Sequence, residues 1–153
     1  MNYGELLPPA PLADPELQMP AGQEFRLSAL RGKWVLLQAD SGDCQASCRQ
    51  KLHSMRQVRA ALGKDQDRVE RVYLIDDRKP LDSALAAELA GNRLARTPAG
   101  ALLRQLAPHG EDARRHIYLI DPLGNLVLRY PGNADNAKML KDLQRLLRAS
   151  SIG

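Results

Sequence analysis

The two cysteines of the chain are the residues best suited to chemistry. Cys44 and Cys48 are the only cysteines, and they follow directly on the short apolar run 34–39. Residues at positions i and i+4 lie on one face of a helix, with Cα atoms about 6 Å apart, which a disulfide tolerates. The pair can therefore open and close with little backbone movement, as a redox couple requires.

A strand that ends and a helix that begins must position this pair. The run 34–39 has the length and β-branched content of a buried strand, and the turn 41–43 supplies Asp43 as a candidate N-cap. A helix N-terminus stabilises a thiolate. Cys44, nearer that end and expected to be more exposed, is predicted to attack, and Cys48 to resolve the mixed disulfide. An apolar stripe at helical spacing predicts the helix: Leu52, Met55, Val58 and Leu62.

The order of the predicted elements indicates an α/β fold with a central mixed sheet between helices. Two strands joined through a helix are expected to be parallel with a right-handed crossover. The turn 122–125 predicts an antiparallel hairpin. This is the thioredoxin-like plan, in which a cysteine pair opens the first helix of the core. Strands are predicted at 34–39, 69–75, 116–121 and 126–130, and helices after Cys44, at 81–89, at 99–106 and from about 133 to 148.

The first twenty residues are expected to differ from the rest of the chain. Residues 1–20 hold five of the ten prolines, which favours an extended backbone. We interpret this segment as a tether, or as an arm laid over the surface, that contributes little to folding. The thioredoxin-like domain is then predicted to cover residues 21–150.

Composition limits the possible partners. The net charge is +4 and the charges are scattered, with one Phe and one Trp, so we expect no nucleic-acid binding. No apolar run approaches the roughly 18 residues of a membrane span, and no signal peptide is visible. We expect membrane association only through an N-terminal anchor that this sequence lacks, and an anchor removed before Met1 remains an open alternative.

Metal binding is a second candidate role for the cysteine pair. A structural zinc site needs four ligands, whereas two thiolates suit copper(I). His116, at the start of a predicted strand, could be a third ligand, a proton donor or a polar strand end. His53 is expected on the surface, and His109 lies in a predicted loop.

Three stretches resemble the Sco/SenC family: residues 30–37, the cysteine pair with three residues between, and residues 118–125. The similarity covers most of residues 20–149. It implies a domain held at the periplasmic face of the cytoplasmic membrane by an N-terminal helix. Such a domain serves assembly of the dinuclear copper centre of cytochrome oxidase as a copper carrier, a thiol–disulfide reductant, or both. The implied partner is a protein client with cysteines, either an oxidase subunit or an assembly factor.

One position departs from the family pattern. Members with a copper site take a third ligand from a histidine about five residues before the tyrosine that corresponds to Tyr118, and Ala113 stands there. We therefore favour a thiol–disulfide oxidoreductase that uses Cys44 and Cys48 and requires no cofactor. The alternative is a copper(I) chaperone that binds the metal through both thiolates, with His116 as a candidate third ligand.

Overall fold

An eight-stranded mixed sheet forms the centre of the protein. The computed structural model describes residues 1–97 and 100–150. The strands are β1 (Glu5–Pro11), β2 (Leu17–Gln18), β3 (Glu24–Phe25), β4 (Trp34–Asp40), β5 (Val69–Ile75), β6 (Asn92–Arg96), β7 (His116–Ile120) and β8 (Asn125–Pro131). β4 pairs in parallel with β5 and antiparallel with β7, and β7 forms the predicted antiparallel hairpin with β8. The order across the sheet is β1-β8-β7-β4-β5-β6-β2-β3.

Helices cover both faces of this sheet, which confirms the predicted thioredoxin-like fold. Successive residues of β4 point to opposite faces. Leu36 packs in one apolar cluster with Met55 of the first helix and Leu143 of the last, and Leu37 packs in another cluster with Leu106. The α-helices are α1 (Ala46–Ala61), α2 (Ala86–Leu89), α3 (Ala101–Leu106) and α4 (Asn136–Ala149). None of the helices described is both long enough and apolar enough to cross a membrane.

Several element boundaries differ from the sequence prediction. The segment predicted as a helix at 81–89 is a 3-10 turn, Ser83–Leu85, followed by the short α2. The last helix starts after Asp135, whose carboxylate accepts a hydrogen bond from the Lys138 N–H at 3.0 Å and caps the helix. The predicted helix start at Ala99 lies outside the described residues.

β6 was not predicted from the sequence. Of its five residues only Ala95 is buried, so the strand lacks the apolar run of β4 and β5. Gly91 precedes it with a φ of 82°, a left-handed backbone that glycine adopts without strain. β6 forms because its backbone pairs in parallel with β5, a contact between distant segments that local patterning does not reveal.

The proline-rich segment lies along the domain as an arm. β1 pairs antiparallel with β8, and its register shifts between Leu6 and Ala10, around the two prolines between them. An edge strand with an irregular register is a place where proline is tolerated. The Tyr3 and Gly4 N–H groups donate to the carboxylate of Asp142 at 2.9 and 2.8 Å, and Asp142 is buried in α4. These contacts argue against the expectation that the segment adds little to folding, while the division at residue 20 stays a prediction.

Deletion of residues 1–12 should therefore destabilise the domain. It removes an edge strand and leaves the buried Asp142 carboxylate without two hydrogen-bond donors, and a buried acceptor without a partner costs about 1–3 kcal/mol. We expect the melting midpoint to fall by roughly 5–10 °C, at about 2–4 °C per kcal/mol. Pro8→Ala, at an exposed β1 position, is the control and should change the midpoint little. A fall of less than about 2 °C on deletion would support the tether instead.

Candidate functional site

A disulfide joins Cys44 and Cys48 at the junction between β4 and α1. Their Cα atoms are 5.0 Å apart, within the range a disulfide allows. Cys48 is the third residue of α1, whereas Cys44 precedes the helix and has a φ of 39°, which is uncommon for a residue other than glycine. The strand-to-helix position predicted for the pair is confirmed, but only Cys48 lies on the helix.

The helix start differs from the prediction. Gln45 is the N-cap residue of α1, and no side chain caps the helix there. Asp43 does not serve as the N-cap, because the left-handed backbone at Cys44 moves the helix start further along the chain. The Asp43 carboxylate lies instead 3.4 Å from the Lys79 Nζ and 3.5 Å from the Gln45 Nε2.

Both sulfurs are shielded from solvent. Cys44 and Cys48 are each 1% exposed, so the expectation that Cys44 is the more accessible thiol is wrong. The hydrophobic cluster that contains the disulfide also includes Leu52, Tyr73, Ile75 and Leu85. Because both cysteines are buried, a protein thiol can reach the disulfide only after neighbouring residues have moved. The turn that leads directly into Cys44 is one of these neighbours.

That turn, residues 41–43, is held by the segment 77–79, which we call the clamp. The Asp77 carboxylate accepts hydrogen bonds from the Gly42 N–H at 2.9 Å and from the Ser41 hydroxyl at 2.5 Å. A Cβ at residue 42 would clash with the Lys79 carbonyl group, so the close approach requires glycine. Asp77 is half-buried and Arg78 and Lys79 are exposed, so the clamp lies at the surface beside the buried turn.

A buried ion pair between Lys51 and Asp40 adjoins the turn at residues 41–43. The Lys51 side chain is fully buried, and its Nζ donates to the Asp40 carboxylate at 2.9 Å and to the Arg114 carbonyl oxygen at 2.5 Å. Burial lowers the pKa of Lys51, and the hydrogen bond and charge of Asp40 oppose that shift. Asp40 also accepts from the Ser41 N–H at 2.7 Å. The pair thus ties β4 and α1 to the loop before β7.

An open cleft of about 610 Å³ lies beside the turn at residues 41–43. Its wall includes the guanidinium of Arg114, which donates to both Asp76 oxygens at 2.8 and 2.7 Å; these hydrogen bonds raise the pKa of Arg114. Lys79 and Arg115 also line the cleft, as do Asp43 and Asp112. The cleft therefore carries charges of both signs.

Two polar side chains contact the Cys48 sulfur. Nε2 of Gln38 lies 3.7 Å from Sγ, and the Tyr73 hydroxyl oxygen lies 3.6 Å from it. The Tyr73 hydroxyl donates to the Ser41 carbonyl oxygen, and burial, reinforced by nearby carboxylates, raises the pKa of Tyr73. Oε1 of Gln38 is buried, and no partner for it occurs among the described residues.

The structure does not group His116 with the cysteines. The Nδ1 of His116 lies 3.2 Å from the Tyr130 carbonyl oxygen of β8; burial, aided by the charge of Arg129, lowers its pKa. Within residues 1–97 and 100–150, no three His, Cys, Asp or Glu side chains stand together as a metal site. The predicted set of Cys44, Cys48 and His116 is therefore not assembled, because the histidine ring turns toward β8.

The other two histidines also lie in separate places. His53 is exposed on α1, 3.7 Å from the Glu88 carboxylate, as the sequence predicted for a surface residue. His109 lies in the 3-10 turn Pro108–Gly110 and is exposed.

Sequence reasoning did not single out Gln38, Lys51 or Asp77. For each of them, the sequence contains a feature that could have identified the residue. Gln38 interrupts an apolar strand, and Lys51 stands at helical spacing between Cys48 and Met55, on the buried face of α1. Asp77 follows β5, whose carboxyl end meets that of the parallel β4.

Known proteins share this fold. Residues 34–150 match the family model described as transmembrane-like, thioredoxin-like, C-terminal domain, and no curated protein matches the chain. Apo Sco1 from Thermus thermophilus is 25% identical, with 95% of this chain and 97% of that chain covered and a TM-score of 0.76. Yeast Sco1 with copper bound is 16% identical, with 94% and 96% covered and a TM-score of 0.75.

A third similar structure is BsSco, described as a member of the Sco family of cytochrome c oxidase assembly proteins in which a disulfide switch was identified. It is 17% identical, with 92% of this chain and 96% of that chain covered and a TM-score of 0.63. The resemblance to Sco proteins predicted from the sequence is confirmed by these structures.

Proposed function

The chain belongs to the family of transmembrane-like, thioredoxin-like C-terminal domains, and we propose that it is a thiol–disulfide oxidoreductase acting through Cys44 and Cys48. The observation that carries the proposal is the disulfide between these residues at the strand-to-helix junction of a thioredoxin-like fold. A pair closed at this separation can cycle between dithiol and disulfide with little rearrangement of the backbone.

The proposed reaction begins with the reduced pair. The Cys44 thiolate attacks one sulfur of a client disulfide, and the other client sulfur leaves as a thiolate and takes up a proton. The Cys48 thiolate then attacks the Cys44 sulfur in the mixed disulfide and releases the second client thiol. The client gains two electrons, and the domain ends with the Cys44–Cys48 disulfide, which a protein dithiol must reduce before the next cycle.

We place this reaction outside the cytoplasmic membrane, in the assembly of the copper centre of cytochrome c oxidase. Disulfides form and persist mainly in oxidising compartments, and this chain carries one between Cys44 and Cys48. The similarity to BsSco, a member of the Sco family of cytochrome c oxidase assembly proteins with a disulfide switch, supports the class of client. The client is then a protein with a cysteine pair, either an oxidase subunit or another assembly factor.

Copper(I) delivery is the second candidate function, favoured by the shared fold with copper-bound yeast Sco1. The reduced Cys44 and Cys48 would supply two thiolates, which copper(I) prefers as soft ligands. The described residues do not provide a third ligand beside them. Copper is therefore proposed as weakly held cargo and not as a resident cofactor.

Redox cycling tests the first function. Mass spectrometry of the air-oxidised protein should show the loss of two hydrogens, and a mild dithiol should restore them. The reduced protein should then reduce a client disulfide, with the Cys44→Ser/Cys48→Ser variant as control. Two free thiols that persist under oxidant would contradict the proposal.

Anaerobic titration of the reduced protein with copper(I) against a competing chelator separates the two functions. We expect the wild type to bind copper(I) weakly and Ala113→His to bind it more tightly. The added imidazole occupies the position that corresponds to the copper-ligand histidine of the Sco/SenC family. His116→Ala is the matched control and should leave binding unchanged, since its ring faces β8. Tight, stoichiometric binding by the wild type would favour the chaperone.

A further inference from the structure

The inner sulfur of the disulfide faces a buried amide. The Gln38 side chain is fully buried in β4, and its Nε2 lies 3.7 Å from the Cys48 Sγ and 3.5 Å from the Cys48 carbonyl oxygen. A disulfide sulfur is only a weak acceptor, so this contact contributes little while the disulfide is closed. The amide therefore stands beside the reacting atom without a strong partner there.

The carbonyl oxygen of the same amide is unsatisfied. Oε1 of Gln38 is buried, and no donor reaches it among the described residues. An unpaired buried carbonyl oxygen costs about 1–3 kcal/mol, and such groups in native structures call for a specific explanation. The unpaired oxygen belongs to the oxidised form, which is the form that this structure describes.

Opening the disulfide changes what the amide can bind. When the thiolate of a reductant attacks the Cys44 sulfur, the bond between Cys44 and Cys48 breaks and its electron pair passes to the Cys48 Sγ. A Cys48 thiolate can accept a hydrogen bond from the Gln38 Nε2, and a Cys48 thiol can donate one to Oε1 after the amide turns by half a rotation. The reduced form thus gains a hydrogen bond in either protonation state of the sulfur.

We propose that Gln38 is a redox-responsive hydrogen-bond partner of Cys48 that stabilises the reduced pair relative to the disulfide. It makes the disulfide easier to open and sets the class of reductant that the domain can use. Tyr73, 3.6 Å from the same sulfur on its other side, already donates to the Ser41 carbonyl oxygen, so Gln38 is the group with hydrogen-bonding capacity to spare. The inference rests on the proposed thiol–disulfide function.

Equilibration of the full chain with a small dithiol tests this role. In the balanced reaction the protein disulfide and the dithiol give the protein dithiol and a cyclic disulfide. Gln38→Met keeps the volume of the side chain and removes both polar atoms, so the equilibrium should move toward the protein disulfide by about tenfold, or about 30 mV. Gln50→Met, the same change at an exposed position of α1, is the control and should match the wild type.

The melting midpoint of Gln38→Met shows whether this variant folds. If it does not fold, a second variant is used. Gln38→Leu also removes both polar atoms of the amide and should shift the equilibrium in the same direction. An equilibrium within about twofold of the wild type, a shift toward the dithiol, or an equal shift in Gln50→Met would each overturn the inference. Because the dithiol reacts without a client, a failure of client reduction tells against the proposed function and not against this role of Gln38.

Discussion

Cys48→Ser will accumulate as a mixed disulfide with its client and will lose net turnover. Without the Cys48 thiolate, the bond between Cys44 and the client has no internal nucleophile to resolve it. Cys44→Ser should form no such adduct, because Cys48 lies in the first turn of α1 with Gln38 and Tyr73 around its sulfur. The adduct is measured by non-reducing electrophoresis and mass spectrometry after mixing reduced protein with the oxidised client.

Ser47→Ala is the matched control for this experiment. Ser47 stands between the two cysteines along the chain and is exposed, so its variant should cycle as the wild type does. Trapping by Cys44→Ser and not by Cys48→Ser would reverse the roles of the two thiols. Since both sulfurs are buried in the disulfide form, the result also identifies which sulfur of the reduced pair a client can reach.

The second large effect concerns stability. Lys51→Met should lower the free energy of unfolding by about 3–5 kcal/mol, because removal of one partner of a buried ion pair leaves the other charge uncompensated. The Asp40 carboxylate would lose its 2.9 Å partner, and the Arg114 carbonyl oxygen would lose a donor as well. The melting midpoint should fall by roughly 10 °C or more, measured by circular dichroism together with urea unfolding.

Two further variants test the cause of this loss. Asp40→Asn combined with Lys51→Met removes both charges and should recover a large part of the stability. Arg49→Met, at an exposed position on the same helix, should have little effect. If Lys51→Met were as stable as the wild type, the ion pair would make no net contribution to folding.

Local patterns in the sequence determined the central part of the fold. Each of the patterns that predicted it is contained in a short stretch of sequence. These patterns are the apolar runs of β4, β5 and β7, the turn of the β7–β8 hairpin and the apolar stripe of α1. Such runs pair as strands and bury helix faces because the hydrophobic effect stabilises the folded state by about 1.5–3 kcal/mol for each large apolar side chain that is buried. The position of Cys44 and Cys48 at a strand-to-helix junction followed for the same reason.

Tertiary structure alone decided how the cysteine pair is surrounded. The left-handed backbone at Cys44 displaced the helix start, and the pairing of β1 with β8 turned a proline-rich segment into an edge strand. Periodicity reports which face of an element is apolar, but it does not report which distant groups meet there.

The contacts of the site join residues far apart in the chain. Gly42 meets Asp77 across 35 positions, and Lys51 reaches Arg114 across 63. Hydrogen bonds of this kind form only after the sheet has brought the carboxyl ends of β4 and β5 together, and buried polar groups must then find partners within the geometry that results. The sequence therefore determined where the disulfide stands, and the folded structure determined that it is buried, clamped and set beside an amide with an unpaired oxygen.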